Sequence, residues 1–168
     1  LPASLSQLLL LEPAMNSTLK LWRTLSAYPG GKRLFSRAIC LKAPYFSTIH
    51  PQFESLDVGA ATVHISERRG LRNHLGSVHA IALCNLAEMA GGLACEVSMP
   101  KGMRWIPSGM TVKYKARAKG ELRAYATVPE VKPGEKVELL VTVDVKNSDG
   151  ESVFEAEIVM YVSPAKAS

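Results

Sequence analysis

The sequence predicts an α+β fold in which a curved antiparallel sheet wraps around one long helix. Three observations lead there. Residues 78–99 form a single apolar-rich segment, too long for a strand and closed by Pro100. The runs after it alternate apolar and polar side chains, the pattern of strands with one face covered and the other in water. Two further strand-like runs precede it, so the order is two strands, one helix, four strands. That helix is all that can cover the apolar face of the sheet, and it must lie in the concave side.

In chain order, residues 16–28 read as a short amphipathic helix. Leu19, Leu21, Trp22 and Leu25 are its apolar residues, Ser17 or Thr18 its cap, and Pro29-Gly30-Gly31 its stop. A second helical piece, Lys32–Leu41, ends before Pro44. Residues 45–56 carry aromatic and β-branched side chains around Pro51 and read as a bent or edge strand. Asp57–Glu67 alternates, with Val63 and Ile65 on one face and Thr62 and His64 on the other. After the long helix, Met110–Ala118, Leu122–Val128, Val137–Val145 and Ser152–Val162 alternate in turn. Asn147-Ser148-Asp149-Gly150 reads as the turn joining the last two. The organisation expected is an N-terminal extension and helical lead over residues 1–44, then the α+β domain over 45–168. Met15 is a candidate natural start, which would make residues 1–14 an upstream extension.

At 168 residues, 47% hydrophobic and 21% charged, the chain has the composition of one ordinary globular domain, which excludes disordered and low-complexity classes. The Leu8–Leu11 cluster falls far short of the roughly 18 apolar residues of a membrane span, so none is expected. Twenty Lys+Arg against fifteen Asp+Glu give a net charge of +5. The excess is uneven: no acid lies between Glu12 and Glu54, a stretch that holds Lys20, Arg23, Lys32, Arg33, Arg37 and Lys42. Such a segment is either a solvated face or a surface for an anionic partner. No nucleic-acid module is recognisable, so no nucleic-acid partner is expected. Cys40, Cys84 and Cys95 are odd in number and lack CxxC spacing, which argues against a disulfide framework and for a reducing, cytoplasmic compartment. The four histidines never fall at the i, i+4 spacing zinc sites often use, and no metal is expected.

Chemistry concentrates in and just before the long helix. Leu83, Leu86, Ala90, Leu93 and Val97 make its core stripe. Glu88 lies on another stripe with Cys84, Asn85, Gly91, Gly92 and Cys95, a small and weakly polar face. Two glycines inside a helix cost about 1 kcal/mol each relative to alanine, so something must approach that surface closely. A lone acid on an apolar helix is costly unless it is paired or functional. Upstream, Asn73-His74-Leu75-Gly76-Ser77-Val78-His79 offers a tight turn and a cap. The free N–H groups from His79 to Ile81 would then form a positive helix terminus able to hold an oxyanion. On these residues alone, a solvated Glu88 and a capping His79 remain equally open readings.

His79 follows Asn73 by six residues and Glu88 follows His79 by nine. This resembles the Asn-x5-His-Gly-x7-Asp pattern of hotdog-fold acyl-CoA thioesterases of the phenylacetate-pathway type. The order of elements matches that fold across roughly residues 45–163. The whole chain, including Ala43-Pro44-Tyr45-Phe46 and Met103-Arg104-Trp105-Ile106-Pro107, is similar to a bacterial branch of that superfamily. The resemblance implies that Glu88 activates water or attacks the thioester carbonyl, that Asn73 holds water or the carboxylate, and that His79 orients the turn. It also implies that the Ala80 N–H donates to the thioester oxygen beside Gly76 and Ser77. The family usually has Gly where this chain has Ala80, whose methyl narrows the approach. A helper hydroxyl is absent from the helix position Gly92, and Ser108 is a candidate substitute. Lys113 and Lys115, with Arg117 and Lys119, could bind coenzyme A phosphates or merely guard a strand edge. No cofactor is implied beyond coenzyme A as part of the substrate, an acyl-CoA or acyl-carrier thioester. The exposed strand edges expected here imply a homodimer, with pairing into a tetramer as a further step. The alternatives are a non-catalytic acyl-CoA or lipid-binding protein and, less favoured for want of a Pro-flanked His motif, an acyl-thioester hydratase or dehydratase.

Overall fold

The computed structural model describes residues 16–165, so the extension over residues 1–14 lies outside the described residues. Helix α1 (Ser17–Ser26) and helix α2 (Gly31–Lys42) lead into a 3-10 segment, Pro44–Ile49. Strands β1 (Gln52–Asp57) and β2 (Ala60–Ser66) follow, then a short 3-10 turn, Arg69–Leu71, and helix α3 (Ala80–Ser98). Strands β3 (Met103–Tyr114), β4 (Glu121–Thr127), β5 (Val137–Lys146) and β6 (Ser152–Pro164) complete the chain. All six strands belong to one antiparallel sheet in the order β1-β2-β4-β5-β6-β3. The sheet curves around α3, which lies most closely against β2, β4 and β5.

The period-2 pattern explains the strands. Val63 and Ile65 of β2, Leu122 and Ala124 of β4, Val141, Val143 and Val145 of β5, and Phe154, Ala156, Ile158 and Met160 of β6 all point into the core. From α3, Leu83, Leu86, Ala90 and Val97 meet them. Gly91 is the point of closest approach. A Cβ there would lie 3.0 Å from Ile158 Cδ1 and 3.2 Å from Val141 Cγ1, so the glycine lets the helix sink onto the sheet. By length and composition α3 would pass for a membrane span, with a mean hydropathy of 1.4. Scanning for long-chain apolar runs misses it, because alanine, glycine and cysteine supply much of that character. Two thirds of the window (67%) is buried inside the chain's own sheet, as befits a core helix.

The lead helices clamp one edge. Trp22 of α1, Phe35 of α2 and Phe53 of β1 form an aromatic cluster with centroids 5.1 and 5.3 Å apart around Phe35. The Ser36 hydroxyl accepts the Phe53 N–H at 2.9 Å, and Lys32 Nζ donates to the Glu54 carbonyl at 2.7 Å. Strand β1 is thereby protected from pairing with another chain. Strand β3, at the opposite edge, is left bare, with every residue at least partly exposed.

Several boundaries differ from expectation for local reasons. The cap of α1 is Asn16, whose Oδ1 accepts the Thr18 N–H at 2.8 Å, rather than Ser17 or Thr18. The aromatic stretch before Pro51 is a 3-10 segment rather than strand, because Ser47 Oγ and Thr48 Oγ1 turn back onto the carbonyls of Pro44 and Tyr45. Strand β3 starts at Met103 and ends at Tyr114, where Met110–Ala118 was expected. Its pairing with β6 absorbs Pro107 through a bulge between Pro107 and Gly109, so the proline does not stop it.

Candidate active site

The turn before α3 is built by Asn73. Its Oδ1 accepts the N–H groups of Leu75 (3.0 Å) and Ser77 (3.2 Å), and its Nδ2 donates to Ser77 Oγ at 3.1 Å. Gly76 supplies the positive φ of 70° that the turn needs. Asn73 and Ser77 are therefore engaged with each other, and the Asn73 carboxamide holds the loop rather than reaching toward Glu88. The turn is anchored from outside as well. Val78 N–H donates to the Ala118 carbonyl at 2.8 Å and His79 N–H to the Leu71 carbonyl at 2.7 Å.

His79 is the N-cap of α3, and its Nδ1 accepts the Ile81 N–H at 3.1 Å. Of the helix-terminal donors expected to be free, Ile81 N–H is thus used by His79 Nδ1, and Ala82 and Leu83 N–H turn back to the His79 carbonyl. Ala80 N–H has no acceptor among the described residues and is the open donor of the terminus. The capping reading of His79 is thus the one the structure shows.

Glu88 is exposed on α3. The small face expected around it divides differently. Gly91 and Cys95 face the core, and burial pushes the Cys95 thiol up to about 12. Asn85 is also buried, donating to Thr48 Oγ1 at 3.2 Å. What remains on the Glu88 line is Ile81, Cys84 and Gly92. A lone acid on this helix is tolerated because the helix is uncovered on this side.

Strand β3 borders that line. Cross-strand partners share a face of a sheet. Pairing of Trp105, Pro107, Met110, Val112 and Tyr114 with inward residues of β6, from Val162 to Phe154, places all five on the concave side. At one end the Tyr114 hydroxyl lies 3.6 Å from Cys84 Sγ, a contact that raises the phenol above its ordinary range. At the other end a Cβ on Gly92 would lie 3.2 Å from Trp105 Cη2. The indole N–H donates to Glu96 Oε2 at 2.9 Å. The result is a trough, floored by Ile81, Cys84 and Glu88 and walled by β3. In the sequence Trp105 carries no visible role. The glycine four residues after Glu88, needing something to approach it closely, was the signal for it.

The other candidates lie at the rim. Ser108 sits in the β3 bulge, exposed, its Oγ donating to the Val159 carbonyl at 3.2 Å. The bulge falls between the Trp105 and Tyr114 contacts, as Glu88 falls between Gly92 and Cys84. Lys115 Nζ pairs with Glu155 Oε1 at 2.5 Å, and Lys113, set opposite Glu155 in the strand register, faces the convex side of the sheet, so neither lysine lines the trough as expected. Gly92 is covered by the Trp105 indole, so its use in this chain is to seat that ring. Glu88 and the Ala80 terminus are not brought together. Eight residues separate Glu88 from Ala80, about 80° out of phase and roughly 12 Å of rise along the helix.

A single helix inside a curved antiparallel sheet of this strand order is a hotdog fold, and the trough with Glu88 runs between the helix and the edge strand β3. The chain belongs to the family described as Domain of unknown function (DUF4442), whose model matches residues 31–162. A crystal structure solved as a genomics target is 44% identical, covering 88% of this chain and 98% of that one, with a TM-score of 0.76. The Pseudomonas aeruginosa protein PA5026, described as of unknown function and a "Probable Thioesterase", is 24% identical over 82% of this chain and 97% of its own, with a TM-score of 0.70. The Haemophilus influenzae thioesterase HI1161 is 13% identical over 73% and 85%, with a TM-score of 0.64, a likeness of fold alone. No curated protein matches the chain.

Proposed function

We propose that this protein hydrolyses acyl thioesters, with Glu88 as the base and the Ala80 N–H as the oxyanion donor. The observation that carries the reading is the exposed carboxylate in the middle of an otherwise apolar trough. Thioesterase names among structures of the same fold support the reaction class, and the Asn73–His79–Glu88 spacing supports the phenylacetate-pathway type. A thioester needs little help: its carbonyl is electrophilic and its thiolate leaves well. Glu88 takes a proton from water as the oxygen attacks the carbonyl carbon. The oxyanion rests on the Ala80 N–H, then collapses and expels the thiolate, which recovers the proton from Glu88. Coenzyme A is the proposed carrier.

Because one chain cannot bring Glu88 to its own Ala80, the proposal includes a homodimer in which each trough meets the partner's helix terminus. The bare edge of β3, beside a β1 edge that is stapled shut, supports pairing through β3. Glu88→Gln tests the chemistry. We expect a fall of about 10²–10⁴-fold in thiol release from a panel of acyl-CoAs. The exposed site should leave thermal stability within about 0.5 kcal/mol. Equal rates for the two proteins would remove Glu88 from catalysis. That outcome favours the second reading, a non-catalytic acyl-CoA-binding protein, which the Ala80 methyl at the oxyanion position keeps in view.

A further inference from the structure

We infer that Trp105 is the end wall of the acyl trough, fixed in place by Glu96, and that it limits the substrate to short acyl groups. This rests on the thioesterase reading and adds how far an acyl tail can extend from Glu88.

The helix line Glu88–Gly92–Glu96 advances one turn at each step. Glu88 is the reactive group. Gly92 takes the far edge of the indole, with no room for a methyl unless the ring gives way. Glu96 accepts the indole N–H at 2.9 Å, and its Oε1 and backbone carbonyl lie 3.4 and 3.0 Å from Asn16 Nδ2. The ring is therefore laid across the helix and pinned at both ends. Yet Trp105 is only partly buried. A large rigid apolar surface with its polar atom tied back and part of its area open suits a ligand wall better than a core filler.

The trough is short in both directions from Glu88: the Tyr114 hydroxyl meets Cys84 Sγ at 3.6 Å at one end, and an acyl tail directed to the other end meets the Trp105 indole. From Glu88 to the indole is one helical turn, about 5–6 Å. That is room for a short acyl chain and too little for a fatty-acyl chain. On its other side Trp105 lines a cavity of about 460 Å³, with Met99, Pro100 and Met103 among its walls. Removing the indole would join that cavity to the trough.

The test is a chain-length profile for the full-length protein, from acetyl- to palmitoyl-CoA, in wild type, Trp105→Ala and Glu96→Ala. The wild type should favour butyryl- or hexanoyl-CoA. Trp105→Ala should raise the ratio of kcat/KM for octanoyl- over butyryl-CoA by at least about tenfold, the scale of one or two methylenes in an apolar pocket. Glu96→Ala keeps the ring but frees it, and should shift the profile the same way by less. Should Trp105→Ala fail to fold, as thermal melting would show, the Glu96→Ala profile decides. Active variants with an unchanged profile would overturn the wall and leave the hydrolase reading intact. If no protein turns over any thioester, the hydrolase reading fails instead. The wall is then judged by calorimetry with non-hydrolysable S-alkyl-CoA thioethers: longer chains binding only to the variants supports it. Equal chain-length preference, or no binding by any protein, overturns it.

Discussion

Asn73 and Glu88 show how differently two polar residues of one motif are used. Glu88 stands in solvent with its carboxylate free to act, whereas the Asn73 carboxamide is engaged in its own turn. In the proposed reading the motif supplies one chemical group and the scaffold of a backbone donor. Cysteine behaviour follows the same logic of exposure. Cys95 is buried against the sheet with its thiol held up near about 12, so it carries almost no thiolate at neutral pH. Burial also raises Cys40. Cys84 is partly exposed and sits on the trough floor one turn before Glu88. We expect DTNB or iodoacetamide on the native protein to label Cys84 and leave Cys95 unmodified, with loss of thioester hydrolysis tracking Cys84 labelling by peptide mass. Rapid native labelling of Cys95 would contradict the packing described for α3.

At the scale of elements, the loop between β2 and α3 holds the terminus of α3 in place. Glu67 ties it down: its Oε2 accepts the Gly120 N–H and its Oε1 the Arg72 Nε, both at 2.6 Å. The Gly120 N–H first, then Arg72, pulls the Glu67 carboxyl below its ordinary value of 4.5. A carboxyl lowered in the folded state adds stability above its unfolded pKa, and that stability disappears as pH falls through the lowered value. Glu67→Gln should therefore cost about 1 kcal/mol at pH 7 by urea unfolding, with the difference from wild type shrinking as pH falls below the ordinary carboxyl value of 4.5. A difference that does not change with pH would rule out the ionic part of this clamp. The strand count, the long helix and its core stripe are legible in the sequence, because burial imposes a period that a local pattern records. The faces of α3 are less so. Gly91 and Gly92 are adjacent and look alike, yet one seats Ile158 and the other Trp105. Which glycine meets which neighbour depends on β6 and β3, far away along the chain. The 3-10 segment before Pro51 escapes for the opposite reason, since its hydroxyl-to-carbonyl bonds carry no periodicity.

For the molecule as a whole, the deciding question is how Glu88 and Ala80 meet. Within a chain they are held on one rigid helix and cannot approach one acyl group. One sheet edge is closed by α2 and the other, β3, is bare and borders the trough, which is where the proposed partner would complete the site. Mixing subunits tests this directly. Asn73→Ala disrupts the turn that presents Ala80, and Glu88→Ala removes the base, so each homodimer should be inactive. In a hybrid dimer one of the two shared sites would combine an intact Glu88 from one subunit with an intact Asn73 turn from the other. Random exchange at equal concentrations makes half the dimers hybrid, and each hybrid has one working site of two. The mixture should therefore recover about a quarter of wild-type thioester hydrolysis after subunit exchange. Sedimentation should show dimers or larger for each parent at micromolar concentration. Exchanged mixtures as inactive as either parent, or monomers in sedimentation, would instead place Glu88 and its oxyanion donor within one chain. That arrangement would require α3 to break near Cys84.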